Sequence, residues 1–253
     1  MSIRQHSVLW LLVVGLLLPS RALSNQPSIE LSTLEWAPYT GRDLPELGFM
    51  SEVTSQAFSH MGYDVTIRFR PWLRALQEAK EGKVDGVIAI YKNTEREQYL
   101  TFSHLVWEVN EMLITLAEHP MQSSQDIHHL NNLTVGVLRG SLSAEDLRQD
   151  GVRVSPVTNE AQNIRKLYAK RLDAIITPKE VFNYNYQTIK ETLPPHATKL
   201  LKPAYKSYPL HVAFGQHNPN HGKLVEDFNR GLAIIKDNGI FTSLVEKHHM
   251  QQD

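Results

Sequence analysis

Segments with a period of two residues and segments with a period of 3.6 take turns along nearly the whole chain. That alternation restricts the possible fold more than any single motif. Residues 29–34 (IELSTL) alternate as a strand should. Apolar residues Phe49, Met50, Val53, Ala57, Phe58 and Met61 then recur at helical spacing between Gly48 and Gly62. A strand at 65–69, a helix from Pro71 to about residue 81 and a strand at 84–90 follow, the proline suiting a first helical turn. The pattern resumes after Pro120 with strands at 133–138, 152–157 and 173–177, and helices at 141–149 and 159–170. A short strand at 212–214 and helices near 223–236 and 240–249 complete it. Helices between mostly parallel strands are expected, an α/β fold.

One internal echo divides the chain. Residues 76–89 (LQEAKEGKVDGVIA) and 164–177 (IRKLYAKRLDAIIT) align without gaps, placing Asp85 on Asp173. Many helix-to-strand joints share this pattern, so the echo alone leaves that reading open. The sharper implication is two similar α/β lobes, with segments around 107–113 and 203–209 crossing between them.

Composition closes several routes. The chain of 253 residues contains no cysteine, which removes disulfides, thiol catalysis and cysteine-ligated metal sites. Its 26 basic and 27 acidic residues give a formal net charge of −1, without the basic excess of a nucleic-acid binder. Arg4, the apolar run 8–18, Pro19 and then Ala22-Leu23-Ser24 read as a signal peptide cleaved after Ser24. The run is shorter than the ~20 apolar residues that cross a bilayer, and an exported, periplasmic protein is expected. His128-His129 and His248-His249 are adjacent pairs whose side chains do not converge, so no metal is expected. Asn132-Leu133-Thr134 is a glycosylation sequon to which no role is given. Nucleophile-elbow, phosphate-loop and dinucleotide fingerprints are missing, and no cofactor is expected.

Several local motifs, in this order, resemble the family 3 bacterial extracellular solute-binding proteins of the polar amino-acid-binding type. They are Trp36-Ala37-Pro38-Tyr39 after the first strand, Gly48-Phe49, Pro71-Trp72, Gly82-Lys83-Val84-Asp85-Gly86, and Thr94-Glu95-Arg96 followed by Phe102-Ser103. The second half adds 134–141 (TVGVLRGS), Arg171-Leu172-Asp173-Ala174 and Asp237-Asn238-Gly239. The likeness spans residues 27–250. It implies a two-lobed periplasmic-binding-protein-like fold (type II) with a ligand cleft between the lobes. Lobe one would be 26–109 plus 210–253, and lobe two 110–209.

The resemblance also implies site residues. Arg96, seven residues before Ser103, stands where the family grips a ligand carboxylate, and a guanidinium fork suits that task. A surface arginine paired with Glu95 or Glu97 is the plainer reading. Trp36 and Trp72 match positions whose rings sandwich the ligand, against core packing as the alternative. Tyr39 and Tyr91 join them, Tyr91 standing in a shortened loop where small hydroxyl residues are usual. Arg74 would add positive charge, or lie on a solvated helix face. Arg139 and Ser141 would line a helix N-terminus able to receive an anion, or Ser141 would be an ordinary cap.

One position departs from the pattern. Pro178 stands five residues after Asp173, where α-amino-acid binders carry an aspartate for the ammonium. That contact is missing or rebuilt. The expected function is a non-enzymatic, monomeric binding protein that delivers a small carboxylate-bearing, amino-acid-like solute to a membrane ABC permease. The alternatives are a cyclohexadienyl dehydratase-like lyase on the same fold, with Glu180 as candidate acid, or a sensor.

Overall fold

The computed structural model describes residues 26–128 and 132–251. The signal-peptide expectation and His129 lie outside the described residues. Strands β1 (Ser28–Thr33), β2 (Asp64–Phe69) and β3 (Gly86–Tyr91) alternate with helices α1 (Phe49–Ser59) and α2 (Trp72–Lys80). Strands β4 (Leu100–Phe102) and β5 (Trp107–Leu116) lead into β6 (Thr134–Leu138), α3 (Leu142–Gln149), β7 (Arg153–Val157) and α4 (Glu160–Tyr168). Strand β8 (Ala174–Pro178), α5 (Lys179–Ile189), β9 (Thr198–Gly215), α6 (His221–Asp237) and α7 (Ile240–Lys247) complete the chain.

The strands form one sheet in the order β2-β1-β3-β9-β5-β8-β6-β7, with β4 on β9. Its two ends are built alike. On one side β1 pairs in parallel with β2 and β3; on the other β6 pairs in parallel with β7 and β8. The seam between them is antiparallel, because β5 and β9 run against each other and against β8 and β3. The expected parallel sheet therefore holds within each half and fails at the seam. There β9 is a single strand of 18 residues where only 212–214 reads as strand from its residue types. Its middle carries Lys202, Pro203, Lys206 and Ser207; pairing with β5 orders residues 198–201 and 206–210 on either side of an irregularity, and Lys202 bridges to Ser123.

The internal echo now has a physical content. Asp85 Oδ2 accepts from the backbone N–H of Glu30 at 2.7 Å, and Asp173 Oδ2 accepts from that of Thr134 at 2.7 Å. Each aspartate thus clips the strand it leads into the beginning of that half's first strand. The two halves share this join because each needs the same helix-to-strand return beside its central strand.

Burial follows strand parity. Around β5 and β8, Leu113, Ala174 and Ile176 pack into a cluster with α3 residues Ala144 and Leu147. Met112, Ile114 and Ile175 face the other way, onto Ile164 and Leu167 of α4 and Phe182 of α5. A strand covered on both faces reads as an unbroken apolar run, as 174–176 does. The larger cluster gathers β1, β3, α1, α2 and α6, and also takes in Leu142 and Val181 from beyond the seam. The halves therefore touch. Helix α5 went unread in the sequence because its polar, tyrosine-rich stretch (KEVFNYNYQTI) gives only Val181, Phe182 and Ile189 to the interior.

Candidate functional site

The contact between the halves is where the chemistry gathers. A cleft of about 420 Å³, including its open mouth, is lined on one side by Trp36, Trp72, Ala89, Tyr91 and Arg96. Leu138, Ser141, Leu142, Ser143, Glu160 and Ile176 face them, and Glu111 of β5 lies at the seam.

Each side chain is held there by its element. Trp36 follows β1 in a tight loop, its N–H donating to the Thr40 carbonyl at 2.8 Å. Its ring meets Tyr39 at 4.7 Å and the edge of Tyr91 at 6.0 Å. Tyr91 in turn stacks on Tyr208 of β9 at 4.5 Å. Ala89 sits at the irregularity between Ile88 and Ile90 with φ of 60°, a left-handed conformation that an alanine holds only when its surroundings impose it. Such a bulge re-aims neighbouring side chains beside a site.

Trp72 begins α2 directly after Pro71, and its indole N–H donates to the Gly140 carbonyl at 3.0 Å. The same carbonyl accepts from Arg96 Nη2 at 3.1 Å, while Arg96 Nη1 donates to the Tyr91 carbonyl at 2.7 Å. Asn93 Oδ1 fixes the Arg96 backbone N–H at 2.9 Å. The guanidinium carbon lies 5.5 Å from the centre of the Trp72 ring. Gly140 is thus one point at which the second half meets the first. Its φ is +76°, and a Cβ there would come within 2.3 Å of Leu73 Cδ2.

Arg96 is 4% exposed, and no carboxylate lies within ion-pair distance of it among the described residues. Burial lowers its pKa, and the charges of Glu145 and Glu95 push back; an arginine so placed stays charged. A buried guanidinium held by two carbonyls and one ring face keeps donors for an anion.

The acidic side of the cleft is built from two carboxyls the sequence reading passed over. Glu111 is 4% and Glu160 5% exposed. Tyr91 donates its hydroxyl to Glu111 Oε1 at 3.1 Å, and Asn163 Nδ2 donates to Glu160 Oε2 at 3.1 Å. Burial, with repulsion from Glu160, raises the Glu111 pKa to about 8; burial raises that of Glu160 to about 7. Glu111 carried a signal, for it shares strand parity with Trp107 and Val109 and so points inward. Glu160 and Ser143 carried none. A glutamate in the first turn after an Asn159 cap looks like ordinary charge complementing a helix N-terminus.

The other expected residues are spread out. Ser141 is in the cleft, where it also caps α3 by accepting from Ala144 N–H at 3.2 Å. Arg74 is not: its side chain is 68% exposed and pairs with Glu78 at 3.0 Å, the solvated helix face. Arg139 is exposed, and its backbone is engaged with Val157. Tyr39 lies behind Trp36 and lines a second pocket with Trp107, Lys179 and Glu180. Burial, then Glu180 and Glu111, drives its hydroxyl pKa well up. Glu180 is therefore on the far side of Tyr39 and not among the cleft-lining residues. His248 is occupied too, its ring 2.6 Å from Glu52.

With the geometry in place, similarity to known proteins decides the family. The sequence profile of the bacterial extracellular solute-binding proteins, family 3, matches residues 33–251. The chain belongs to that family. Its fold is shared with a substrate-binding protein of an ABC uptake transporter from Streptococcus pneumoniae with bound histidine (TM-score 0.75, 16% identity, 88% of this chain and 93% of that one). A histidine kinase sensor domain similar to periplasmic binding proteins also matches (TM-score 0.76, 20% identity, 88% and 95%). So does an ancestral amino-acid-binding protein, a precursor of cyclohexadienyl dehydratase (TM-score 0.72, 18% identity, 87% and 94%). At these identities the likeness establishes the fold. No curated protein sequence matches the chain. Among the described residues no helix is long and apolar enough to cross a membrane.

Proposed function

We propose that this solute-binding protein captures a small carboxylate-bearing, amino-acid-like solute between its two lobes. It would work in the periplasm as a monomer, without catalysis, and pass the solute to a membrane ABC permease. The observation that carries this reading is Arg96, a buried cation facing the cleft with no carboxylate partner among the described residues. Burying a charge without a counter-charge is costly, and a ligand carboxylate would relieve that cost bidentately. Trp36 and Trp72 would supply aromatic contact around it.

Capture works by closure. The moving bodies in this reading are 26–109 plus 210–253 and 110–209, connected by β5 and β9. Trp72 and Arg96 reach Gly140 across the gap, so a ligand touching both sides would favour the closed arrangement over the open one. A thermal-shift screen of the mature protein against amino acids, organic acids and polyamines tests the reading, since a bound solute raises the melting temperature. Stabilisation by a carboxylate-bearing solute that disappears in Arg96→Ala supports it. Stabilisation by polyamines alone contradicts it.

A second reading is a lyase, and the raised pKa values of the Glu111 and Glu160 carboxyls favour it, because a general acid needs a raised pKa. The acid would then be one of these two rather than Glu180. Loss of ligand mass over time in the presence of protein, abolished by Glu160→Gln, would select it.

A further inference from the structure

We propose that Glu111 and Glu160 form a cation-recognising pole of the cleft, so that the solute carries a positively charged nitrogen as well as the carboxylate held by Arg96. The proposal rests on the carboxylate reading above and names the charge class of the same ligand. It answers what Pro178 leaves open. Glu111 of β5 is the register partner of Pro178 on β8, so a carboxyl stands on the neighbouring strand beside the proline.

Three observations carry it. First, Glu111 Oε2 is buried and has no hydrogen-bond partner among the described residues, whereas its Oε1 is tied to Tyr91. An orphaned buried acceptor in a lined cleft is a place for a donor to land. Second, Glu160 comes from α4 of the same lobe as Glu111, across the cleft from Arg96, and Asn163 fixes one of its oxygens. A solute held by Arg96 on one lobe and by these glutamates on the other would therefore bridge the two lobes, as closure requires. Third, the poles are separate. Arg96 is held by the Tyr91 and Gly140 carbonyls, Glu111 by the Tyr91 hydroxyl and Glu160 by Asn163, and no ion pair joins Arg96 to either glutamate among the described residues.

The neighbours leave this pole without a resident cation. From β9, Lys206 is the register partner of Glu111, but its ammonium is 2.5 Å from Asp146, which also accepts the Tyr208 hydroxyl at 2.5 Å. From β3 and the loop after β1 come Tyr91 and Tyr39, both neutral with raised pKa values. From α4 come Asn163 and the helix N-terminus, and from β8 Thr177 and Pro178. Among the described residues no Lys, Arg or His lies within ion-pair distance of Glu111 or Glu160. Two buried carboxyls in this setting keep protons until a positive charge arrives. A docking ammonium would favour both ionised forms and send the protons they hold to bulk water. Affinity for a zwitterion should then rise with pH across the range in which the pair titrates.

The test uses the mature protein and a named panel: the common L-amino acids, γ-aminobutyrate, and deaminated counterparts such as propanoate, 3-phenylpropanoate and glutarate. Affinities are measured by titration calorimetry at pH 6 and pH 8 for wild type, Arg96→Ala, Glu111→Gln and Glu160→Gln. The expected result is an amino probe that binds at least about tenfold more tightly than its deaminated counterpart, a preference that Glu111→Gln removes. Repeating the titration in buffers of different ionisation heat should show release of roughly one to two protons per ligand near neutral pH. Binding that depends on Arg96 but ignores both the amino group and Glu111→Gln overturns the proposal and leaves the carboxylate reading standing. Binding that ignores Arg96→Ala but needs Glu111 overturns the carboxylate reading alone. If no panel member binds wild type, both fall. Proton uptake with an amino probe also contradicts the proposal.

Discussion

Replacing Glu111 with glutamine isolates the cost of one buried acid. The glutamine keeps the shape and still offers a carbonyl to the Tyr91 hydroxyl, but it cannot ionise. In the native protein the Glu111 carboxyl is raised from its ordinary 4.5 to about 8, with burial as the main cause. The folded state therefore holds this proton more tightly than the unfolded chain. As pH rises above about 4.5 the unfolded state loses the proton first, and the folded state is progressively disfavoured until pH passes about 8. With those two values the penalty is below ~1 kcal/mol at pH 5 and about 3 kcal/mol at pH 7. Wild type should accordingly lose about 2–3 kcal/mol relative to Glu111→Gln between these pH values. For a chain of this size that corresponds to a relative shift of roughly 5–10 °C in melting temperature. Ligand-free wild type and variant, melted side by side by scanning calorimetry from pH 5 to pH 8, give the answer. The variant should match wild type near pH 5 and exceed it increasingly towards pH 8. A difference that stays flat across the range would refute the buried-acid account.

Other outcomes follow from the cleft. Gly140→Ala should leave the open form folded but resist closure, because its left-handed backbone and the 2.3 Å approach to Leu73 both oppose a side chain. Ligand affinity should fall, and small-angle scattering with ligand should show less compaction than wild type. Trp72→Ala should weaken binding by loss of ring contact and of the indole bond to Gly140, with little change in the pH dependence of affinity. Arg74→Ala should leave affinity within about twofold, since an exposed (i, i+4) pair contributes little; a large loss in calorimetry would put Arg74 at the ligand.

What the sequence could reveal depended on whether a residue's role was local. Strand periods made β1 readable through its alternation, and β3, β6 and β8 through their own apolar runs. The length of β9 was not readable, because β5 orders 198–201 and 206–210 through pairing that their own residue types do not announce. Helix α5 buries too narrow a stripe to announce itself. In the cleft, Trp36, Trp72, Tyr91, Arg96 and Ser141 came from motif positions and stand together. Arg74 and Arg139 were placed by sequence adjacency, and adjacency along a helix or turn sends neighbours in different directions. Glu111 and Glu160 come together only when the second half folds back along β5, a long-range event with no local signature.

The central claim is that Arg96 is the anchor for a solute carboxylate. Titration calorimetry at pH 8 with the tightest carboxylate-bearing solute from the thermal-shift screen, comparing wild type, Arg96→Lys and Arg96→Ala, tests it most directly. Losing a buried bidentate partner costs about 2–5 kcal/mol, so Arg96→Ala should bind roughly 30-fold or more weakly. Arg96→Lys should recover little, since an ammonium lacks the planar fork. Equal affinity of wild type and Arg96→Ala, with both proteins folded, would contradict the account.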